Sequence, residues 1–286
     1  MGDSGGGGVD RPDLAVVILT YNEEDNIAQA LRSVCGWARQ VFVLDSFSSD
    51  RTLEIAKPFG CTVAQNKFED YGRQRNHALD ALPITTEWIF FLDADEWIPK
   101  ELRQEIAGRL AAAPRENGFL VKYRMIWMGR WIRRGYYPTW LLRLFRRGKA
   151  RCERRSVNEH LILEGEAGRL EGDLMHEDKK SLSRWIQKHD AYAEREAAEL
   201  FKEPEGYIDA SLFGTQAERK RWVRYNVWNR LPPLVRPVAY FSYRYFLRGG
   251  FLDGREAFVF HALQAFWFPL LIDAKYIEMK RRRGEG

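Results

Sequence analysis

Cysteine is scarce. Its three residues, Cys35, Cys61 and Cys152, are odd in number and scattered through a chain of 286. With no Cys-x-x-Cys pair, no disulfide framework is indicated, and a reducing, cytoplasmic setting is expected. His-Glu-x-x-His and Cys/His clusters are missing as well, which argues against a zinc site. The Gly-rich start, Met1 to Asp10, lacks the apolar stretch of a secretory signal. Residues 1–11 are expected to form a disordered leader. The uncharged run from Ala257 to Ile272 contains His261, Gln264 and Pro269 and falls short of the ~20 apolar residues that span a bilayer. No internal repeat is found.

What is present reads as an ordinary globular protein, 45% apolar and 30% charged, with a formal charge of +5. That charge is modest, so its placement matters more than its sum. Leu14 to Leu19 is a short, continuous apolar run, as in a strand buried on both faces of a parallel sheet. Ile27, Leu31 and Val34 then mark one face of a helix. Val41 to Leu44, Cys61 to Ala64 and Trp88 to Leu92 predict three more strands, with helices between them and Gly72 to Leu82 among those helices. A helix to about Ala112 opens at Pro99. Strands alternating with helices predict an open, mostly parallel α/β sheet, in which ligands sit outside the carboxyl ends of the strands. Asn22, Asp45 and Asp93 each follow such an end and are expected to converge on one crevice.

The strongest chemical signal is Asp93-Ala94-Asp95 after a buried strand. Two carboxylates one residue apart repel each other unless a cation compensates them. Mg²⁺ and Mn²⁺ are hard cations that bridge carboxylates to substrate phosphates. Asp45 can accept from a base N–H, whereas Ser49 and Asp50 read better as a helix cap. Arg75, on the first turn of a helix, is placed to pair with a diphosphate or to brace the aspartates. Arg73 reads as a surface residue. The first strand ends in TYNEEDN, which is not the Gly-rich phosphate loop that a nucleotidyltransferase usually has there.

VVILTYNEEDNIAQAL, VFVLDSFSSDRT, GRQRNHAL and WIFFLDADE, in that order, resemble glycosyltransferase family 2, of the GT-A fold. The resemblance implies that Thr20, Tyr21, Glu23 and Asp45 hold the nucleotide of a UDP-sugar. It places Asp93 near the ribose and the metal, and makes Asp95 the principal ligand of a divalent cation. The later segment SVNEHLILEGEAGRLEGDLMHEDKKSLSRWIQKHDAYAEREA, with the aromatic GGFLDGREAFVFHALQAFWFPLLIDAKY, looks like the subgroup that adds glucose to the inner core of lipopolysaccharide.

Inverting transfer needs a base for the acceptor hydroxyl. Glu159 is the expected base, against the alternative that it pairs with a nearby arginine. The Glu177-Asp178 pair is its rival. His176, after a strand-like segment, completes the metal site or contacts diphosphate, against the alternative of a structural histidine. Arg124 to Arg155, dense in Arg and Trp, reads as an insertion facing an acceptor or a membrane rather than nucleic acid.

Three segments are expected: the leader, a catalytic domain over 12–205, and an aromatic, basic helical region over 206–286. That last region is expected to lie on the inner face of an anionic cell membrane. The function implied is a metal-dependent inverting transfer of a hexose, glucose from UDP-glucose, to a lipid-linked or lipopolysaccharide-core saccharide. Transfer to a polyprenyl phosphate and a non-catalytic nucleotide-sugar-binding module are the alternatives.

Overall fold

The structure is a computed structural model that describes residues 11–153, 160–201 and 226–284, with 213, 218, 219, 222 and 223 between them. Its centre is a mixed sheet with strand order β3-β2-β1-β4-β8-β6-β11-β5. These strands are β1 (Leu14–Thr20), β2 (Gln40–Asp45), β3 (Thr62–Gln65), β4 (Trp88–Asp93), β5 (Glu96–Trp97), β6 (Gly118–Trp127), β8 (Trp140–Arg146) and β11 (Ala167–His176). A short β7 (Arg130–Trp131) pairs with β6, and β9 (Ala150–Cys152) pairs with β10 (Leu161–Leu163). The pairings β1–β2, β1–β4, β2–β3 and β6–β11 are parallel. Only β8 and the short β5 run against the other strands on this path.

β1 shows why the sheet forms. Alternate side chains of a strand point to opposite faces. Leu14, Val16 and Ile18 enter one core with Ile27, Leu31 and Val34 of helix α1 (Ile27–Val34). Ala15 and Val17 enter the other, with Phe42, Ala78 and Phe91. Covered on both faces, the strand has no use for polar residues until Thr20. Helices α2 (Thr52–Ala56), α3 (Tyr71–Ala81) and α4 (Lys100–Ala111) follow the strands as the sequence spacing predicts. Asp70 caps α3 by accepting from the Arg73 amide at 2.7 Å. Ser181 caps α5 (Leu182–Glu199), accepting from the Arg184 amide at 3.3 Å.

Two expectations need correction. The basic stretch from Arg124 to Arg155 is not an insertion: it supplies the end of β6, β7, β8 and β9, and β8 lies in mid-sheet between β4 and β6. A buried strand carrying Arg143 imitates a solvated basic segment until its acidic partners are known. The C-terminal run is longer than its uncharged part. Arg255–Arg282 forms one continuous helix of 28 residues, here α7, which among the described residues is long and apolar enough to cross a membrane. The boundary expected near Pro204 and Gly206 lies outside the described residues.

α7 is tied to the rest of the molecule along its length. Ala257 and Phe260 pack with Ile132. The His261 ring sits between two glycines: a Cβ at Gly135 would lie 2.8 Å from its Cε1, and one at Gly250 would lie 2.7 Å from its Nε2. Gly135 also has φ of +74°, a region that disfavours other residues. Farther along, Trp267 and Phe268 meet Trp185 and His189 of α5, and Asp273 forms a buried ion pair with Arg236 of α6 (Val235–Ser242). A π-helical segment, Ala262–Trp267, interrupts α7 where it passes the cavity described next.

Candidate active site

The carboxyl ends of β1, β4, β6 and β11 open into a cavity of about 1200 Å³. Thr20, Tyr21, Glu23, Arg75, Asp93, Asp95 and His176 line it, so seven of the residues singled out in the sequence are brought together. Asp45 is not among the lining residues. It is fully buried, and its Oδ1 accepts from Thr20 Oγ1 at 3.0 Å. Its Oδ2 accepts from the Ser48 amide at 2.9 Å and from Gln65 Nε2 at 3.0 Å. Asp45 therefore organises the loops behind the cavity wall, and Thr20 spends its hydroxyl on Asp45. Asp50, one residue before Arg51 at the N-cap position of α2, accepts from the Thr52 amide at 2.9 Å.

Two loop residues adopt the left-handed backbone, Asn22 with φ of 53° and Phe47 with φ of 61°. Asn22 suits it, because its side chain bonds locally; Oδ1 accepts from the Ser49 amide at 2.8 Å. Phe47 has no such excuse, and it lines the cavity 57% exposed, as does Tyr21. A bulky residue held in this conformation stores strain, which is typical of functional loops.

At the end of β4 the acids are held by arginines. Arg143 Nη2 donates to Asp93 Oδ2 at 2.6 Å and to Glu96 Oε1 at 2.7 Å. Arg75 Nη2 donates to Asp93 Oδ1 at 3.3 Å, and the Asp93 amide donates to Glu96 Oε2 at 3.0 Å. Burial would raise the Asp93 carboxyl, but Arg143 and Arg75 hold it well below the usual range. Burial likewise opposes the charge on Arg143, and Asp93 and Glu96 reverse that effect. Arg73, by contrast, pairs at the surface with Glu69 and Asp70, so the two arginines divide as expected.

Among the described residues Asp95 has no arginine partner. His176 Nε2 lies 3.8 Å from Asp95 Oδ2, and His176 Nδ1 lies 3.7 Å from Glu96 Oε1. Burial would lower the imidazole, yet Asp95, Glu96 and Asp93 together raise it to about 9. His176 is thus a cation beside Asp95, and would lose its proton to a metal that bound there. Among the described residues no group of three or more His, Cys, Asp or Glu side chains is arranged to hold a metal. Two protein ligands nevertheless fit Mg²⁺ or Mn²⁺, which keep waters and take further oxygens from substrate phosphates.

Glu23 accepts from Lys180 Nζ at 2.5 Å and from Asn26 Nδ2 at 2.8 Å. Burial, with Asp95 nearby, raises its carboxyl despite Lys180. Asn26 Nδ2 also reaches Asp178 Oδ1 at 3.0 Å. Asp178 lines the cavity and its neighbour Glu177 does not. Burial would raise Asp178, but Asn26, Lys188 and Lys180 hold it below the usual range, so it is ionised at neutral pH. Glu159 lies outside the described residues. His160 is turned to Glu153, with Nδ1 3.1 Å from Oε1.

The far side of the cavity is aromatic: Trp127, Tyr136, Trp185, His189 and Tyr192, with Phe260 and Gln264 of α7. Sequence reasoning missed Glu96 and Arg143, and found the aromatic stretch that supplies Trp127 and Tyr136 without the wall they form with α5 and α7. Glu96 directly follows the acidic triplet and was visible there. The wall was not legible as one surface, because its members come from β6, the segment between β7 and β8, α5 and α7, which no local pattern connects.

A mostly parallel sheet with an acidic end to its fourth strand, opening beside the turns after its first and second, defines the GT-A fold of nucleotide-sugar transferases. The family model of glycosyl transferase family 2 matches residues 15–159, and the chain belongs to that family; it is a glycosyltransferase. A glycosyltransferase of Rickettsia typhi is 25% identical over 254 residues, 84% of this chain and 81% of that protein. The lipopolysaccharide core biosynthesis glycosyltransferase LpsC of Rhizobium meliloti is 29% identical over 192 residues, 63% of this chain and 68% of its own length. Among solved structures, glucosyl-3-phosphoglycerate synthase of Mycobacterium tuberculosis, in complex with Mn²⁺, UDP and glucosyl-3-phosphoglycerate, is 25% identical. It matches with a TM-score of 0.34 over 40% of this chain and 44% of that one.

Proposed function

We propose that the protein transfers glucose from UDP-glucose, with inversion, to a lipid-linked or lipopolysaccharide-core saccharide. One observation carries this reading: a single cavity joins the Asp95–His176 pair to an aromatic wall of the kind that packs against sugar rings. The lipopolysaccharide-core name of the Rhizobium relative supports the choice of acceptor.

Tyr21 and Phe47 offer exposed aromatic faces to the nucleobase. Arg75 keeps Asp93 ionised and oriented towards the ribose. Asp95 and His176 would hold a Mg²⁺ or Mn²⁺ ion, which supplies positive charge against the departing diphosphate. Asp178, which lines the cavity, is proposed as the base, with Glu159, the base expected from the sequence, as its rival. The acceptor oxygen bonds to the anomeric carbon as the bond from that carbon to the diphosphate breaks. The hydroxyl proton passes to the carboxylate, and the electron pair leaves with the diphosphate.

The C-terminal helices are proposed to rest on an anionic membrane. Phe246, Leu247, Phe251 and Leu252 are exposed on the turns before α7, and Phe258 on α7 itself. Phe241 and Tyr245 link these rings into one aromatic cluster, and the same segment carries Arg248, which donates to Tyr243, and Arg255, which donates to Glu256. Apolar rings flanked by arginines suit the interface of an anionic bilayer.

The test is calorimetric titration of UDP, with and without Mn²⁺, into wild type and Asp95→Ala. Metal-dependent binding that the variant loses is the expected result. A folded wild type that does not bind UDP would overturn the donor assignment.

A further inference from the structure

α5 turns three cations towards the cavity to which the proposed chemistry gives no substrate contact: Arg184, Lys188 and Arg195. They stand at i, i+4 and i+11. On a helix of 3.6 residues per turn they fall within about 40° of one another and along ~16 Å of the axis. Of the acids lining the cavity, Asp93 is engaged by Arg143 and Arg75, and Glu23 by Lys180. Among the described residues no carboxylate pairs with Lys188 or Arg195. Arg184 reaches only Asp25, at 3.8 Å and with both side chains about half exposed. Arg195 lies 5.7 Å from the centre of the Phe68 ring. Burial disfavours charge on Lys188, but Tyr192, Asp95, Tyr71 and Glu23 outweigh it, so the ammonium persists.

A row of three cations facing a cavity, of which only Arg184 is in an ion pair among the described residues, calls for an anionic ligand. The donor diphosphate is already matched, in the proposed function, by Arg75 and by the cation that Asp95 and His176 would hold. The α5 cations share their side of the cavity with Trp185, His189 and Tyr192, the aromatic wall assigned to the acceptor. We propose that this face of α5, centred on Lys188, is a subsite for a phosphate group carried by the acceptor saccharide. The proposal rests on the functional reading above and narrows its acceptor to a phosphorylated one.

Inorganic phosphate is the probe, titrated into the full chain already saturated with UDP and Mg²⁺. Phosphate is expected to bind, and Lys188→Ala to weaken it about tenfold or more while UDP affinity stays within about twofold. Lys188→Arg should retain most of the affinity, which a merely structural role would not require. Thermal melts of each variant control for folding. If phosphate instead competes with UDP, and Lys188→Ala weakens UDP itself about tenfold, the cations serve the donor diphosphate and the acceptor assignment falls. A wild type that does not bind phosphate, or an unchanged affinity in a folded Lys188→Ala, overturns the subsite altogether. A wild type that binds phosphate but not UDP upholds the subsite and sinks the donor reading instead.

Discussion

Arg143 holds the acidic end of β4 together. Its side chain is 7% exposed and Glu96 beside it is 2% exposed, so neither charge has water to fall back on. Replacing one partner of such a pair leaves the other charge buried and alone. Arg143→Met is therefore expected to cost about 3–5 kcal/mol of stability, read by urea denaturation. Substitutions at the surface pair Arg73–Glu69 should cost less than about 1 kcal/mol in the same assay. The two candidate bases separate by kinetics. Asp178→Asn is expected to lower kcat by about a hundredfold or more with UDP binding retained, and Glu159→Gln to change it little. The reverse pattern would assign the base to Glu159.

Among the elements, β1, β2 and β4 were legible because strands buried on both faces are written as continuous apolar runs. Their endings, Thr20 to Glu23 and Asp93 to Asp95, were legible for the opposite reason: polar residues after such runs have nowhere to go but a crevice. β8 was not legible. WLLRLFR carries a charge in mid-strand, and the acids that neutralise it come 47 and 50 residues earlier in the chain. α7 was read only in part, because His261, Gln264 and Pro269 seemed to break an apolar run that a packed helix accommodates. The histidines at this junction also set its response to pH. Burial pushes both His189 and His261 down to about 4, the latter helped by Arg244. An unfolded chain protonates its histidines near pH 6.5, where the folded one still refuses the proton. Their contribution to stability is therefore full above about pH 6.5 and falls as the pH drops towards 4. The melting temperature is expected to be lower at pH 5 than at pH 7, and the double variant His189→Gln, His261→Gln to flatten that difference.

At the scale of the whole molecule, the catalytic sheet and the C-terminal helices form two sides of one cavity. On the proposed orientation the exposed rings of the C-terminal turns enter the bilayer. Leu247→Asp, at a side chain 80% exposed, is expected to reduce co-sedimentation with anionic vesicles without changing the melting temperature. Raising the salt concentration should weaken the wild type in the same way. α7 has a further consequence. Phe260 and Gln264 face the cavity, while Phe258 and Phe266 of the same helix face outward. One rigid lever then has a hand on each side of the protein. Whatever factor lipid contributes to substrate affinity through the posture of that lever, substrate must return to lipid affinity in equal measure. An enzyme built this way would lodge longest on the surface that holds its acceptor, and let go most readily once its cavity is empty.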